Sequence, residues 1–283
     1  MKKLTMYCII AFLVFLVSSC NSTETTKPEP DREAKQHANT VEREQAKSVS
    51  KSDEKAVNQS QAYGDLEAAL PKKPEYRINP ANWAVEPLAN QAVKPVLLTI
   101  DDAPDKHALE MARTLQRLGV KAIFFVNGHF LTTPEKEAEL KEINRLGFPI
   151  GNHTFNHKKL TELSEQEQRQ QIVSLNDRVE SITGERPKFF RAPFGANTDI
   201  SRQVAAEQKM VLMNWTYGYD WEKEYQTKEA IAKIMVDTPL LRSGATLLMH
   251  DRPWTSQALE DIVKGLQARG FTIVDPDLIE KPA

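Results

Sequence analysis

The chain has 283 residues, 37 basic and 39 acidic side chains and a formal net charge of −2, which is enough length for one large domain or two small ones. No basic cluster stands out, which excludes the electrostatic footprint of a nucleic-acid binder. Its two cysteines, Cys8 and Cys20, both lie in the first twenty residues, so the remainder carries no disulfide, no thiol nucleophile and no thiolate metal ligand.

Lys2 and Lys3 precede an apolar run from Cys8 to Val17. A bilayer span needs about 20 apolar residues, so this shorter run reads as the hydrophobic part of an export signal. It closes on Leu16-Val17-Ser18-Ser19-Cys20, which resembles the lipobox of bacterial lipoproteins. That resemblance implies a signal peptide over 1–19, lipid attachment at Cys20, and anchoring to the outer face of a bacterial cell membrane, facing the cell wall. A plain secretory signal with an incidental cysteine is the alternative.

From Asn21 to Ala62 there is no Leu, Ile, Met, Phe, Tyr or Trp. Such a segment cannot bury enough apolar surface to offset its conformational entropy, and residues 20–62 are expected to form a disordered tether. Forty residues of flexible coil span roughly 35 Å, enough to hold a domain off a membrane. Residues 63–94, with Tyr76, Trp83 and several prolines, read as an irregular arm packed on the domain that fills 95–283.

In that domain strand and helix patterns alternate. Val96–Ile100 is a short apolar run. Ala108, Met111, Ala112, Leu115 and Leu118 recur at helical spacing and stop at Gly119. Ala122–Val126 is a second strand; Leu140, Ile143 and Leu146 share a helix face that ends at Gly147, and Phe148–Ile150 is a third, brief strand. Ser164 and Glu167 form a capping-box pattern opening a helix that buries Ile172, Leu175, Val179 and Ile182 and ends near Gly184. Further strands are predicted at 188–190, 210–213, 246–249 and 271–274. About seven such units, each strand followed by a helix, predict an α/β fold, a distorted or incomplete (β/α) barrel; a doubly wound open sheet is the alternative.

The polar residues fall at the carboxyl ends of these strands, where barrel enzymes assemble their sites. Asp101 and Asp102 follow the first strand, His153 the third, Arg191 the fourth, Asp220 the fifth, and His250 the sixth. The spacing of four between His153 and His157 puts both rings on one face if the loop makes a helical turn. Two imidazoles and a carboxylate suit zinc with one position left open; a pair of ordinary surface histidines, and an Asx turn before Pro104, are the alternatives. Neighbouring carboxylates repel, and one of the Asp101–Asp102 pair needs a nearby cation; the other would then face a bound water.

Together these segments resemble the NodB-type polysaccharide deacetylases, a family of carbohydrate esterases, over the region from Val96 to the C-terminus. Thr99-Ile100-Asp101-Asp102-Ala103-Pro104 is similar to the family's first motif, usually Thr-Phe-Asp-Asp-Gly-Pro. His153-Thr154-Phe155-Asn156-His157 matches the second, Arg191-Ala192-Pro193-Phe194-Gly195 the third, Asp220-Trp221 the fourth and Leu248-Met249-His250 the fifth. The resemblance implies that Asp102, His153 and His157 bind a divalent metal, typically Zn2+, with Co2+ as another option. It also implies Asp101 as general base, His250 as general acid, Arg191 orienting Asp101, and a pairing of Arg191 with Asp220, which would itself reach His250. The Phe194 N–H would stabilise an oxyanion, while Trp221 and Leu248 would wall the acetyl pocket. Asp105 and Trp254 belong to no motif but follow two of them and are further candidates for sugar contact; His107 and His129 match no motif. Ala103 replaces a glycine and would be strained if its φ were positive.

The implied activity is removal of N-acetyl groups from a cell-surface glycan such as peptidoglycan or a chitin-like polymer. A wall-binding lipoprotein of the same fold with little turnover, or an O-acetyl esterase, are the alternatives. An acetylated glycan and the membrane are the expected partners; sequence leaves the oligomeric state open.

Overall fold

The computed structural model describes residues 73–90 and 92–282. The signal segment, Cys20, the tether and the first part of the arm lie outside these residues. Among the described residues no helix is long and apolar enough to cross a membrane.

The described part of the arm is more regular than expected. Strands β1 (Tyr76–Ile78) and β2 (Val85–Pro87) pair antiparallel as a short hairpin. After it come β3 (Pro95–Ala103), α1 (Ala108–Arg117), β4 (Ile123–Val126), α2 (Pro134–Arg145), β5 (Ile150–Asn152), α3 (Glu165–Thr183) and β6 (Phe189–Arg191). The chain continues through α4 (Asp199–Glu207), β7 (Val211–Met213), α5 (Lys228–Asp237), β8 (Ala245–His250), α6 (Pro253–Ala268) and β9 (Thr272–Ile273). The predicted punctuation holds in detail. Ser164 and Glu167 complete a capping box at the start of α3, and Gly184 ends it in the left-handed conformation at φ 82°.

Strands β3 to β9 form one parallel sheet in the order β7-β6-β5-β4-β3-β8, with β9 added to the start of β3. The two ends of that order lie close together. Beyond β7, Tyr217 bridges Leu247 of β8, with Thr216 donating to the Thr246 carbonyl at 2.8 Å and Leu248 to the Tyr217 carbonyl at 2.9 Å. The sheet is therefore an incomplete barrel and not a doubly wound open sheet. Gly218 permits this closure, since a Cβ there would lie 2.5 Å from the Leu248 carbonyl oxygen.

Strand alternation sorts the side chains into two layers. Val96, Leu98 and Ile100 of β3 and Phe124 and Val126 of β4 pack outward in one cluster with Met111, Leu115, Leu259 and Ile262 of the helices. Leu97, Ile123, Phe125, Phe189 and Met213 form the other, interior cluster, together with Tyr76 and Val85 of the hairpin. The hairpin thus plugs the lower, amino end of the barrel. It is tied there by Val85 donating to the Gly244 carbonyl at 2.9 Å and by the Thr246 hydroxyl donating to the Trp83 carbonyl at 2.8 Å. Gly151 faces the same interior, where a Cβ would lie 2.4 Å from the Phe125 ring. On β3, Thr99 and Asp101 continue the alternation that starts at Leu97, so the inward stripe changes from apolar to hydroxyl to carboxylate as it rises.

Candidate active site

Asp101 lies inside β3 rather than after it and is almost wholly buried, as is Arg191 at the end of β6. Both point inward at the upper end of the barrel. Arg191 Nη1 donates to Asp101 Oδ1 at 2.6 Å and to Thr99 Oγ1 at 2.9 Å, and Nη2 donates to the Asn214 carbonyl at 2.9 Å. The guanidinium also lies over the Phe125 ring, 4.3 Å from its centroid. Burial pushes the Asp101 carboxyl up; Arg191 and His250 pull it back, and the net direction is upward. The result is a carboxylate held in one orientation with a higher proton affinity than an exposed aspartate.

The expected pairing of Arg191 with Asp220 does not occur. Asp220 is engaged elsewhere: Oδ1 meets His250 Nδ1 at 2.7 Å, and Oδ2 accepts from the His250 N–H at 2.6 Å and the Thr255 hydroxyl at 2.8 Å. Strand position decides this. Asp101 shares Arg191's inward stripe, whereas Asp220 sits where the chain after β7 runs beside β8. Burial lowers the His250 pKa, but the Asp220 hydrogen bond and the carboxylates of Asp220, Asp101 and Asp102 outweigh it, so the net shift is upward. With Nδ1 facing Asp220, its Nε2 is left for another partner.

His153 and His157 also meet, though by a route other than the expected helical turn. The segment after β5 is irregular, and Thr154 and His157 both take left-handed φ, at 67° and 51°. The two histidine rings approach edge to face with centroids 4.8 Å apart. Asp102 takes the same conformation, at φ 61°, which turns its side chain off the alternating path of β3. One ligand atom from each of Asp102, His153 and His157 lies within 4.8 Å of the others.

Two observations test whether this group fits a cation. His153 Nδ1 lies 2.7 Å from the Arg191 carbonyl, an acceptor, so Nδ1 carries the proton and Nε2 presents a lone pair. That lone pair lies 3.5 Å from Asp101 Oδ2, and His157 Nε2 lies 3.6 Å from Asp102 Oδ1. Burial, with His157 adding to it, lowers the His153 pKa to about 3, so the ring stays neutral. A neutral imidazole lone pair facing a carboxylate oxygen is repulsive unless a cation or a proton lies between them, and at His153 this opposition is buried. The donor set, two nitrogens and a carboxylate, fits zinc or a similar ion.

The remaining expected residues ring this centre. Phe194 is 65% exposed, has φ 57°, and packs edge to face on His157 at 5.0 Å. Trp221 packs edge to face on His250 at 5.5 Å, and Leu248 is buried on β8. Trp254 directs its N–H to the Asp220 carbonyl at 2.8 Å. The expected strain at Ala103 is absent. Ala103 is a β3 residue opposite Val126 with its methyl buried in the outer core, and the positive φ belongs to Asp102 before it.

Two residues were given no role from the sequence. Asp251 accepts from four backbone N–H groups, those of Asp105 (2.8 Å), Lys106 (3.0 Å), His107 (2.6 Å) and Ala108 (3.0 Å), and so caps α1 from another loop. Arg252 Nη2 donates to Asp102 Oδ2 at 2.9 Å. Their place directly after His250 was the available signal.

The family profile described as polysaccharide deacetylase matches residues 88–213. The chain is 31% identical over 189 residues to a peptidoglycan-N-acetylglucosamine deacetylase of Bacillus cereus, covering 63% of this chain and 66% of that one. It is 30% identical over 215 residues to the peptidoglycan-N-acetylmuramic acid deacetylase PdaC of Bacillus subtilis, covering 74% and 43%. These matches span less than two thirds of the relatives' own length. Among solved structures, a CE4 family pseudoenzyme from Bacillus anthracis superposes with a TM-score of 0.59 at 25% identity, covering 74% of this chain and 68% of that one.

Replacing Arg191 by Met leaves a buried carboxylate without its partner. In metal-free protein this costs about 3–5 kcal/mol at neutral pH, read by urea unfolding. In the variant the folded Asp101 pKa stands further above its unfolded value of about 4, so the deficit is fullest at pH 7 and shrinks as pH falls and the carboxyl protonates. A variant as stable as the parent at pH 7 contradicts this reading of the pair.

Proposed function

The chain belongs to the polysaccharide deacetylase family, and on that premise we propose that it is a metal-dependent hydrolase removing N-acetyl groups from a cell-surface polysaccharide, peptidoglycan or a chitin-like polymer of N-acetylglucosamine. The observation that carries the proposal is the convergence of Asp102, His153 and His157 beside a buried Asp101 that Arg191 holds in place.

In this reading Asp102, His153 and His157 hold the ion. A bound divalent cation supplies Lewis acidity, making a water more acidic and polarising an acetyl carbonyl. Asp101 takes the proton of the attacking water. Its Oδ1 is engaged by Arg191, so Oδ2 is the oxygen that receives it. The Phe194 N–H donates to the developing oxyanion, a contribution of about 3 kcal/mol for such a donor. His250 gives a proton from Nε2 to the departing amine, and Asp220 keeps that ring charged and oriented until it does. Trp221 and Leu248 line the side on which the acetyl methyl sits. Products are acetate and a free amino sugar.

Similarity to a pseudoenzyme makes turnover the property to measure. Ala103 lies within β3, so the departure from glycine there brings no left-handed strain that would count against turnover. The expected result is acetate release from N-acetylglucosamine oligomers or from peptidoglycan, abolished by chelation and restored by Zn2+ or Co2+. Asp101→Asn is expected to lower the rate by at least about 100-fold without lowering metal affinity, in line with the loss of a general base. Folded, zinc-loaded protein that releases acetate from no acetylated glycan or acetylated xylan would refute the proposal.

Cys20 is proposed to carry the lipid that holds this domain at the outer face of a bacterial membrane. Cys20→Ser is expected to lose incorporation of labelled palmitate and to move the protein from the membrane fraction to the medium. Unchanged labelling would exclude lipidation at that sulfur.

A further inference from the structure

Arg252 stands outside every role assigned above, yet it touches Asp102 directly. Its Nη2 donates to Asp102 Oδ2 at 2.9 Å, and Nη1 lies 3.8 Å from Asp105 Oδ2. The other Asp102 oxygen, Oδ1, is the one that faces His157 Nε2 at 3.6 Å. The two oxygens of one carboxylate are thus assigned to different neighbours.

The backbones that carry this contact are clamped on both sides. Asp251 donates its N–H to the Asp101 carbonyl at 3.0 Å, and its carboxylate gathers the four N–H groups of residues 105–108. Arg252 itself is extended, at φ −129° and ψ 149°, just before Pro253 at the first position of α6. Its N–H donates to the His250 carbonyl at 2.8 Å. The Arg252 side chain is about one-third exposed, so burial does not explain where its head group sits.

We propose that Arg252 is a positioning residue that keeps Asp102 a one-oxygen ligand and thereby sets which metal the site prefers. A carboxylate with both oxygens free can chelate through two, which raises the coordination number and favours ions that take six ligands, such as Mn2+. One carboxylate oxygen with two imidazole nitrogens leaves a four-coordinate site with one open position, which suits Zn2+ and Co2+. The guanidinium faces Asp102 through Nη2 and Asp105 through Nη1 at once, which a single ammonium reproduces poorly, so lysine should replace it poorly.

This inference rests on the metal reading of the site, and titration of metal-free protein with Co2+ separates the two. Parent protein is expected to bind Co2+ with the intense visible absorption of a four- or five-coordinate ion. Arg252→Ala is expected to bind Co2+ about 10- to 100-fold more weakly. Its absorption should fall towards the weak band of a six-coordinate ion, while its affinity for Mn2+ is not reduced. Arg252→Lys should lie between the two, and it is the variant to use if Arg252→Ala unfolds at lower urea than the parent. Parent protein that binds no Co2+ overturns both the metal reading and this proposal. Variants that keep the parent's spectrum and its preference for Co2+ over Mn2+ overturn this proposal alone.

Discussion

Arg191 and Asp101 meet at the top of the barrel interior, and neither charge is tolerable there without the other. Taking an unpaired carboxylate out of water costs several kcal/mol. The guanidinium offsets that cost through a 2.6 Å contact and directs its other donors to Thr99 and the Asn214 carbonyl. Those three partners belong to β3 and to the chain leaving β7, so the pair also ties opposite walls of the curled sheet together. The Arg191 carbonyl has a second role, since it accepts from His153 Nδ1 and so fixes which nitrogen of that ring is available.

The division of labour between two adjacent aspartates follows from backbone geometry. Asp101 keeps the strand conformation and points inward to Arg191. Asp102 switches to φ 61° and swings towards His157 and Arg252. Without that switch the alternation of β3 would send Asp102 outward, into the apolar layer that Ile100 and Ala103 occupy. Asp251 holds the loop that follows, so the switch is supported from a second strand end. A site of this kind is specified by where each backbone leaves its strand more than by the spacing of its ligands in sequence.

Much of this is legible in the sequence because it depends on local rules. Glycines after periodic apolar residues mark the helix ends at Gly119, Gly147 and Gly184, each of which takes positive φ. The Ser164–Glu167 pattern marks a helix start, and apolar runs mark the strands to within a few residues. The position of polar residues at strand ends is enough to gather Asp101, Asp102, His153, Arg191, Asp220 and His250 at one end of the barrel. What sequence does not convey is whatever depends on non-local geometry. The partner of Arg191 is set by which side chains share an inward stripe. The approach of His153 and His157 is set by two left-handed residues, not by helical spacing. The hairpin of Tyr76–Ile78 and Val85–Pro87 forms because it closes the barrel floor, and its strands are too short to announce themselves. Arg252, two residues after His250, belongs to no motif, and only its place beyond a strand end marks it.

Asp102, His153 and His157 are proposed to hold the ion while Asp101, locked by Arg191, stays out of its coordination. Crystals soaked in Zn2+ and measured at the zinc absorption edge address this directly. One anomalous peak is expected within about 2.0–2.2 Å of Asp102 Oδ1, His153 Nε2 and His157 Nε2, with Asp101 still paired to Arg191. A peak bridging Asp101 and Asp102, or one that displaces Arg191 from Asp101, would contradict it.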